Sequence, residues 1–97
     1  MPQFLYRLTP VRAEMPFDPL PEEAEVVGRH FVYLQDGVSR GIVKLAGRTL
    51  EGEVFGLCVY EMASLEEANE FMVNDPAVKE GVMRATLHPF AIALMSS

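Results

Sequence analysis

The two residues best suited to proton transfer are His30 and Asp75. An imidazole has an ordinary pKa of about 6.5 and therefore exchanges protons near neutral pH. Asp75 is followed by Pro76, and a carboxylate at such a break could orient an imidazole and stabilise its protonated form. Each residue also has an ordinary structural explanation, His30 as a histidine at the border of a helix and Asp75 as a turn residue with Asx-type hydrogen bonds. Spacing alone favours these structural roles.

Other reactive or metal-binding patterns are weak. His88 and His30 suggest a metal site with a carboxylate, but the sequence has no His-x-x-His, His-Glu-x-x-His or Cys-x-x-Cys spacing, so we predict no bound metal. Cys58 is the single cysteine, and its place in the apolar run 54–60 indicates a small buried hydrophobic residue, not a nucleophile. No glycine-rich phosphate loop is present, so any chemistry is predicted to need no cofactor.

Three further residues are candidates for binding a substrate, namely Arg48, Arg7 and Tyr6. Arg48 ends a predicted strand, where its charge could attract an anion, although a solvated arginine is the simpler explanation. Arg7 and Tyr6, on the first predicted strand, are weaker candidates of the same kind. The net charge is −6 and the eight basic residues are scattered, which argues against nucleic-acid binding. The aromatic signature of RNA-recognition domains is also missing.

Hydrophobic periodicity and turn residues divide the chain into the elements that would position these side chains. Alternation of apolar and polar residues indicates strands, and apolar residues three and four apart indicate helices. In chain order we predict strand 3–9, helix 21–37, strands 41–49 and 54–62, a helix from residue 65 that ends before Asp75, a helical turn at 77–82, and strand 83–95.

Local signals define the ends and faces of these elements. Four prolines in segment 10–21 exclude a central strand or a helix interior, so the segment is an ordered loop or a flexible lid. Asp36-Gly37 is predicted to stop the first helix, Ser64-Leu65-Glu66-Glu67 is a capping box, and Pro89 implies an edge position or a bulge. The buried stripe of the first helix is predicted to contain five residues: Ala24, Val27, Phe31, Leu34 and Val38. The inner face of the second contains Ala68, Phe71 and Met72.

The element order predicts an α+β domain of the ferredoxin-like βαββαβ type, a four-stranded antiparallel sheet with two helices on one face. A chain of 97 residues suits a single domain, residues 1–97. In the second, third and fourth strands, apolar residues occupy both odd and even positions, which indicates that both sheet faces are apolar. A homodimer, alone or within a larger ring, would cover the second face. No apolar stretch approaches the roughly 18 residues of a membrane span, and no secretory signal is visible, so we predict a cytoplasmic protein.

Several short motifs, taken in order and with their spacing, resemble one known family. They are His30-Phe31 with Leu34 and Gly37, Leu45-Ala46-Gly47, Ser64-Leu65-Glu66-Glu67-Ala68, Asn74-Asp75-Pro76-Ala77-Val78 with Gly81, and His88-Pro89-Phe90. Through them nearly the whole chain resembles the YCII-related family, small dimeric α/β-barrel proteins similar to the muconolactone-isomerase-like group. Two features depart from the family pattern: Arg48 stands where the family tends to place a proline, and segment 10–21 is an unusually long connection.

The resemblance implies an active-site dyad of His30 and Asp75. It also implies a cofactor-independent lyase or isomerase acting on a small aromatic or otherwise unsaturated molecule, with His30 as general acid or base. Two other hypotheses stay open at this point. One is a noncatalytic domain that binds a small ligand, and the other is a purely structural dimerisation module. Fold-level analogy does not decide among the three.

Overall fold

The computed structural model describes residues 1–96, so Ser97, the last residue of the predicted domain, lies outside the described residues. Within that range the chain forms four strands and three helices in the order βαββααβ. They are β1 (Gln3–Pro10), α1 (Pro21–Ser39), β2 (Val43–Arg48), β3 (Gly56–Glu61), α2 (Leu65–Val73), α3 (Pro76–Lys79) and β4 (Met83–Phe90). The sheet order is β2-β3-β1-β4, and every neighbouring pair is antiparallel. The predicted ferredoxin-like βαββαβ fold is confirmed.

Helix α1 ends later than predicted, because its stop signal is Gly41 and not Asp36-Gly37. Gly41 has a φ of +75°, and its N–H bonds to the Val38 carbonyl at 3.0 Å. The next N–H, of Ile42, bonds to the Gly37 carbonyl at 2.9 Å, which completes a Schellman motif. Gly37 is instead a packing residue: a Cβ there would lie 2.6 Å from Cγ2 of Val43. The glycine lets α1 approach β2 closely.

The buried face of α1 is rotated from the predicted stripe. Leu34 is buried as expected, but Phe31 and Val38 are 64% and 54% exposed, and Ala24 is exposed as well. The inward positions are Val26, Leu34 and Gly37, with His30 and Tyr33 half-buried between them. Polar tips are tolerated on this face because they find partners, as when the Tyr33 hydroxyl donates to the Phe71 carbonyl at 2.7 Å.

The core lies between the helices and one sheet face. Alternate residues of β1 point into it (Phe4, Tyr6 and Leu8), together with Cys58 and Tyr60 of β3. The predicted inner face of α2, formed by Ala68, Phe71 and Met72, is confirmed. The final strand ends at Phe90 and not at residue 95, and Pro89 lies in β4, an edge strand, as predicted. Within residues 1–96 no helix combines the length and the apolar character that a bilayer span requires.

The proline-rich connection into α1 adopts an ordered conformation. Arg12 donates from Nε to both carboxylate oxygens of Glu23, at 3.2 and 3.0 Å, and from Nη2 to one of them at 2.7 Å. Its Nη2 also donates to the Asp18 carbonyl at 2.6 Å. Glu23 in turn accepts the Leu20 N–H at 2.8 Å, at the start of α1. The Arg12 hydrogen bonds lower the pKa of Glu23. Met15 is buried, so the loop is held by both charge and apolar packing.

Candidate active site

Three elements deliver polar side chains to one point between the helices and the sheet. His30 comes from the middle of α1, Tyr6 from the centre of β1, and Asp75 from the junction of α2 and α3. Asp75 is the N-cap of α3, and its Oδ1 accepts the Ala77 N–H at 3.0 Å, with Pro76 in the first helical turn. The ordinary turn role expected of Asp75 is therefore confirmed, and the same carboxylate has further partners.

His30 and Asp75 are in direct contact. Nδ1 of His30 lies 2.7 Å from Oδ1 and 2.8 Å from Oδ2 of Asp75. The carboxylate already accepts other donors, so Nδ1 carries the proton in this hydrogen bond and Nε2 keeps its lone pair in the neutral ring. Asp75 is fully buried, whereas 13% of the His30 side chain is exposed. The pair thus joins a buried carboxylate to an imidazole at the surface.

The outer nitrogen of His30 is at least partly exposed to solvent. Among residues 1–96, Nε2 of His30 has no hydrogen-bond partner. In the same part of the chain, every side-chain nitrogen and oxygen that is hidden from solvent has a partner. It follows that Nε2 is accessible. The lone pair of Nε2 therefore meets solvent within the 13% of the His30 side chain that is exposed, while the other ring nitrogen stays bound to Asp75.

Tyr6 lies behind the pair and not at the surface. Its side chain is fully buried, and its hydroxyl donates to Oδ2 of Asp75 at 2.7 Å. Burial, with the neighbouring Cys58 and Asp75, raises the pKa of Tyr6 far above its ordinary value, so the hydroxyl remains a donor. Burial also raises the pKa of the Cys58 thiol to about 12. This agrees with the expectation that Cys58 is a buried apolar residue and not a nucleophile.

The two candidate arginines lie elsewhere. Arg7 follows Tyr6 in β1 and so points to the opposite sheet face, where its guanidinium stacks 4.3 Å above the Phe55 ring. It also lies 3.8 Å from a Glu53 carboxylate oxygen. Arg48 lines an open cleft of about 220 Å³ whose other walls are mainly apolar: Leu45, Gly47, Thr49, Phe55 and Leu57. The structure therefore brings Tyr6, His30 and Asp75 together and leaves Arg48 and Arg7 outside this group.

His88 is also separate from His30. It pairs with Leu5 across β1 and β4 and thus shares the sheet face that the helices leave open. Its Nε2 lies 3.0 Å from the Thr86 hydroxyl. The two histidines are on opposite sides of the sheet and cannot bind one ion within a protomer. Within residues 1–96, no three His, Cys, Asp or Glu side chains cluster as metal ligands would.

The contact between Tyr6 and Asp75 was missed from the sequence. Alternation in β1 placed Tyr6 with Phe4 and Leu8, on the side that became the core. A tyrosine on a buried face needs a hydrogen-bond partner for its hydroxyl, so the position of Tyr6 indicated that such a partner exists. Identifying Asp75 as that partner required the tertiary fold, since 69 residues separate the two.

Comparison with known proteins gives the following matches. A family model described as the YCII-related domain matches residues 8–90. No curated protein sequence matches the chain. The fold resembles that of 5-chloro-2-hydroxyhydroquinone dehydrochlorinase from Burkholderia phenoliruptrix AC1100, in a complex with 2,5-dihydroxybenzoquinone. The TM-score is 0.72 and the sequence identity is 17%, and the match covers 92% of this chain and 93% of that one. It also resembles the crystal structure of muconolactone isomerase, with a TM-score of 0.70, 15% identity, and coverage of 98% and 96%.

Proposed function

The chain belongs to the YCII-related family, and from this premise we propose that it is a cofactor-independent enzyme of the lyase or isomerase type. In this proposal His30 transfers a proton on a small unsaturated molecule, and Asp75 positions His30. One observation carries the proposal: Nδ1 of His30 is held by a fully buried carboxylate, while Nε2 has no hydrogen-bond partner among residues 1–96 and is at least partly exposed to solvent. This is the arrangement that a general base requires.

The proposed roles follow from the charges that develop during the reaction. Nε2 of His30 takes a proton from a substrate carbon, and the resulting imidazolium is stabilised by the Asp75 carboxylate 2.7 Å from Nδ1. In an isomerisation the same nitrogen returns the proton to another atom of the substrate. In an elimination the electron pair of the broken C–H bond forms a double bond and expels a leaving group. Neither reaction involves net oxidation or reduction.

The structural neighbours support this reaction class by their names alone. A dehydrochlorinase removes the elements of HCl from its substrate, and an isomerase rearranges the bonds of one molecule. One of them was studied in complex with a dihydroxybenzoquinone, a small unsaturated ring. We therefore propose hydroxylated aromatic compounds, quinones and unsaturated lactones as the first substrates to test. Arg48 and Arg7 lie away from His30, so we propose no contact between them and the reacting atoms. Their proposed role is to attract anions to the cleft that Arg48 lines.

We also propose that two copies pair through the sheet face opposite the helices. Three apolar side chains on this face are substantially exposed in a single chain: Leu45 at 64%, Phe90 at 42% and Leu57 at 36%. Such a patch on a strand-rich face favours association. A twofold arrangement would bury the same patch on both copies at once. The helices and the His30 site lie on the other side and would remain outside this contact.

The experiment compares wild type with His30→Ala on a panel of these substrates, followed by absorbance and by proton NMR. Because general base catalysis contributes about 10² to 10⁴ in rate, we expect kcat/KM to fall at least about 100-fold. Gln35→Ala is the control, since it truncates an exposed polar side chain of the same helix, and it should change kcat/KM less than twofold.

Two outcomes contradict the proposal. Turnover that persists unchanged in His30→Ala would remove His30 from the chemistry. Compounds that raise the melting temperature of the wild type but are never transformed would indicate a binding domain, in which His30→Ala changes affinity and no rate.

A further inference from the structure

The Asp75 carboxylate accepts hydrogen bonds from three different elements. Nδ1 of His30 donates from α1, the Ala77 N–H donates from α3 at 3.0 Å, and the Tyr6 hydroxyl donates from β1 at 2.7 Å. Asp75 is fully buried, so each of these donors compensates a charge that solvent does not reach. The hydrogen-bond set explains why a carboxylate is stable here. It also means that removing one donor leaves an acceptor site without a partner.

Of the three donors, Tyr6 is the one that the sheet supports. It lies in the centre of β1, paired with Cys58 of β3 on one side and Leu87 of β4 on the other. Its ring packs edge-on against Tyr60, with centroids 5.4 Å apart and an angle of 84° between the planes. Asp75, by contrast, lies at a junction between two short helices. The sheet therefore anchors one of the donors that hold the carboxylate at this helix junction.

We propose that Tyr6 is a positioning residue of the His30–Asp75 pair, whose hydroxyl fixes the Asp75 carboxylate so that the neutral His30 ring keeps its proton on Nδ1 and its lone pair on Nε2. This inference rests on the proposed function, since a free Nε2 matters for catalysis only if His30 transfers protons. Tyr6 itself is fully buried and does not touch the substrate.

The Tyr6 hydroxyl acts through the orientation of the Asp75 carboxylate. With Tyr6 present, Oδ2 is held by the hydroxyl and Oδ1 by the Ala77 N–H, so both oxygens face Nδ1 at nearly equal distances of 2.7 and 2.8 Å. Without the hydroxyl, the carboxylate can turn about its bond to Cβ and still keep its hydrogen bond from Ala77. Its hold on Nδ1 then weakens, and the ring samples the other tautomer, in which Nε2 carries the proton and cannot act as a base.

The test compares Tyr6→Phe with Tyr60→Phe. The control is closely matched, because Tyr60 is also a fully buried tyrosine of the same sheet face and its hydroxyl also donates one hydrogen bond, to the Ala68 carbonyl at 2.6 Å. Both variants lose one buried hydrogen bond. Only Tyr6→Phe removes a donor from Asp75.

Two measurements need no substrate. The first is the pair of ¹⁵N shifts of the His30 ring at a mildly alkaline pH at which the imidazole is neutral, since these shifts report which nitrogen carries the proton. The second is the rate at which diethyl pyrocarbonate modifies His30, followed by mass spectrometry and measured relative to N-acetylhistidine in the same solution. We expect wild type and Tyr60→Phe to show the Nδ1–H tautomer. In Tyr6→Phe we expect a mixture of tautomers. We also expect the relative rate of His30 modification by diethyl pyrocarbonate to be at least fivefold lower than in wild type.

Where a substrate is found, a third measurement applies. We expect Tyr6→Phe to lower kcat about 10- to 100-fold, by analogy with the hydrogen-bond partners that orient metal-ligating histidines, with KM changed less than threefold. Tyr60→Phe should leave both constants within twofold of wild type.

The inference is overturned if folded Tyr6→Phe keeps the wild-type ring shifts and relative rate, or if both variants change them equally. If Tyr6→Phe does not fold, wild-type NMR decides, because the Tyr6 hydroxyl proton and the His30 Nδ1 proton should exchange slowly and show a mutual Overhauser effect across Asp75. Absence of that effect overturns the inference. A lack of turnover on every substrate would contradict the proposed function while the tautomer result stands.

Discussion

The tyrosines show how burial changes the chemistry of single residues. The chain has three, Tyr6, Tyr33 and Tyr60, and all three are largely enclosed between the sheet and the helices. Each hydroxyl donates one hydrogen bond at 2.6 or 2.7 Å. Burial raises the pKa of Tyr33 to about 12 and raises the pKa values of Tyr60 and Tyr6 further. These hydroxyls therefore act as donors and are not sources of tyrosinate in the folded protein.

We expect the folded protein to resist tyrosine ionisation and to lose stability as pH rises above about 10. The unfolded chain releases its tyrosine protons near that ordinary value, whereas the folded chain retains them. Between the unfolded and folded pKa values the native state binds more protons, so each such group lowers the free energy of unfolding by about 1.4 kcal/mol per pH unit. Absorbance at 295 nm and far-UV circular dichroism should be recorded together during an alkaline titration.

The expected signature is a flat 295 nm signal above pH 10 that rises only when the circular dichroism is lost. Protein unfolded in urea is the control, and it should titrate near pH 10. A rise equivalent to three tyrosines near pH 10 with native circular dichroism would contradict the burial of these hydroxyls.

At the scale of elements, α1 shows what sequence patterns predict well and what they do not. The helix itself, its start at Pro21 and the α2 face were predictable because capping, proline and periodicity act locally. The buried face of α1 was not, since Phe31 is exposed while His30 and Gly37 turn inward. Hydrophobicity alone does not reveal that His30 has a carboxylate partner 45 residues away. The dyad was expected through family resemblance, and its geometry required the fold.

Two glycines of α1 allow a direct test of how closely the helix approaches the sheet. Alanine has a helix propensity about 1 kcal/mol better than that of glycine, so Gly28→Ala, where an added Cβ meets nothing within 4 Å, should stabilise the protein by about 0.5 to 1 kcal/mol. Gly37→Ala gains the same propensity but places its Cβ 2.6 Å from Val43, a β-branched side chain with little freedom to move. Overpacking of this kind costs about 1 to 3 kcal/mol, so the net effect should be a loss of about 1 kcal/mol.

Urea unfolding followed by circular dichroism measures both variants, and Gly28→Ala serves as the control for Gly37→Ala. The free energy of unfolding should rise in Gly28→Ala and fall in Gly37→Ala. If Gly37→Ala stabilises the protein as much as Gly28→Ala does, α1 and β2 do not approach each other this closely in solution.

At the scale of the whole molecule, the two sheet faces have different roles. One face carries the core and Tyr6, and thereby supports the site. The other carries exposed apolar residues beside charged ones such as Arg7 and Glu61. Each chain has a net charge of −6, so two chains that associate repel one another at long range, and apolar contact must overcome this repulsion. Added salt screens the repulsion and should therefore strengthen association.

Leu45→Glu tests whether this open face joins two copies. In a twofold interface each substitution appears twice, so one change places two carboxylates in or beside the same apolar patch. We expect the dissociation constant of the dimer to rise at least about 100-fold, equivalent to about 2.7 kcal/mol. Val38→Glu makes the same charge change at an exposed apolar residue on the outer side of α1 and should leave association unchanged. Sedimentation velocity over a range of concentrations distinguishes the two. A wild type that stays monomeric would exclude the interface, and a dimer that dissociates in Val38→Glu but persists in Leu45→Glu would place it elsewhere.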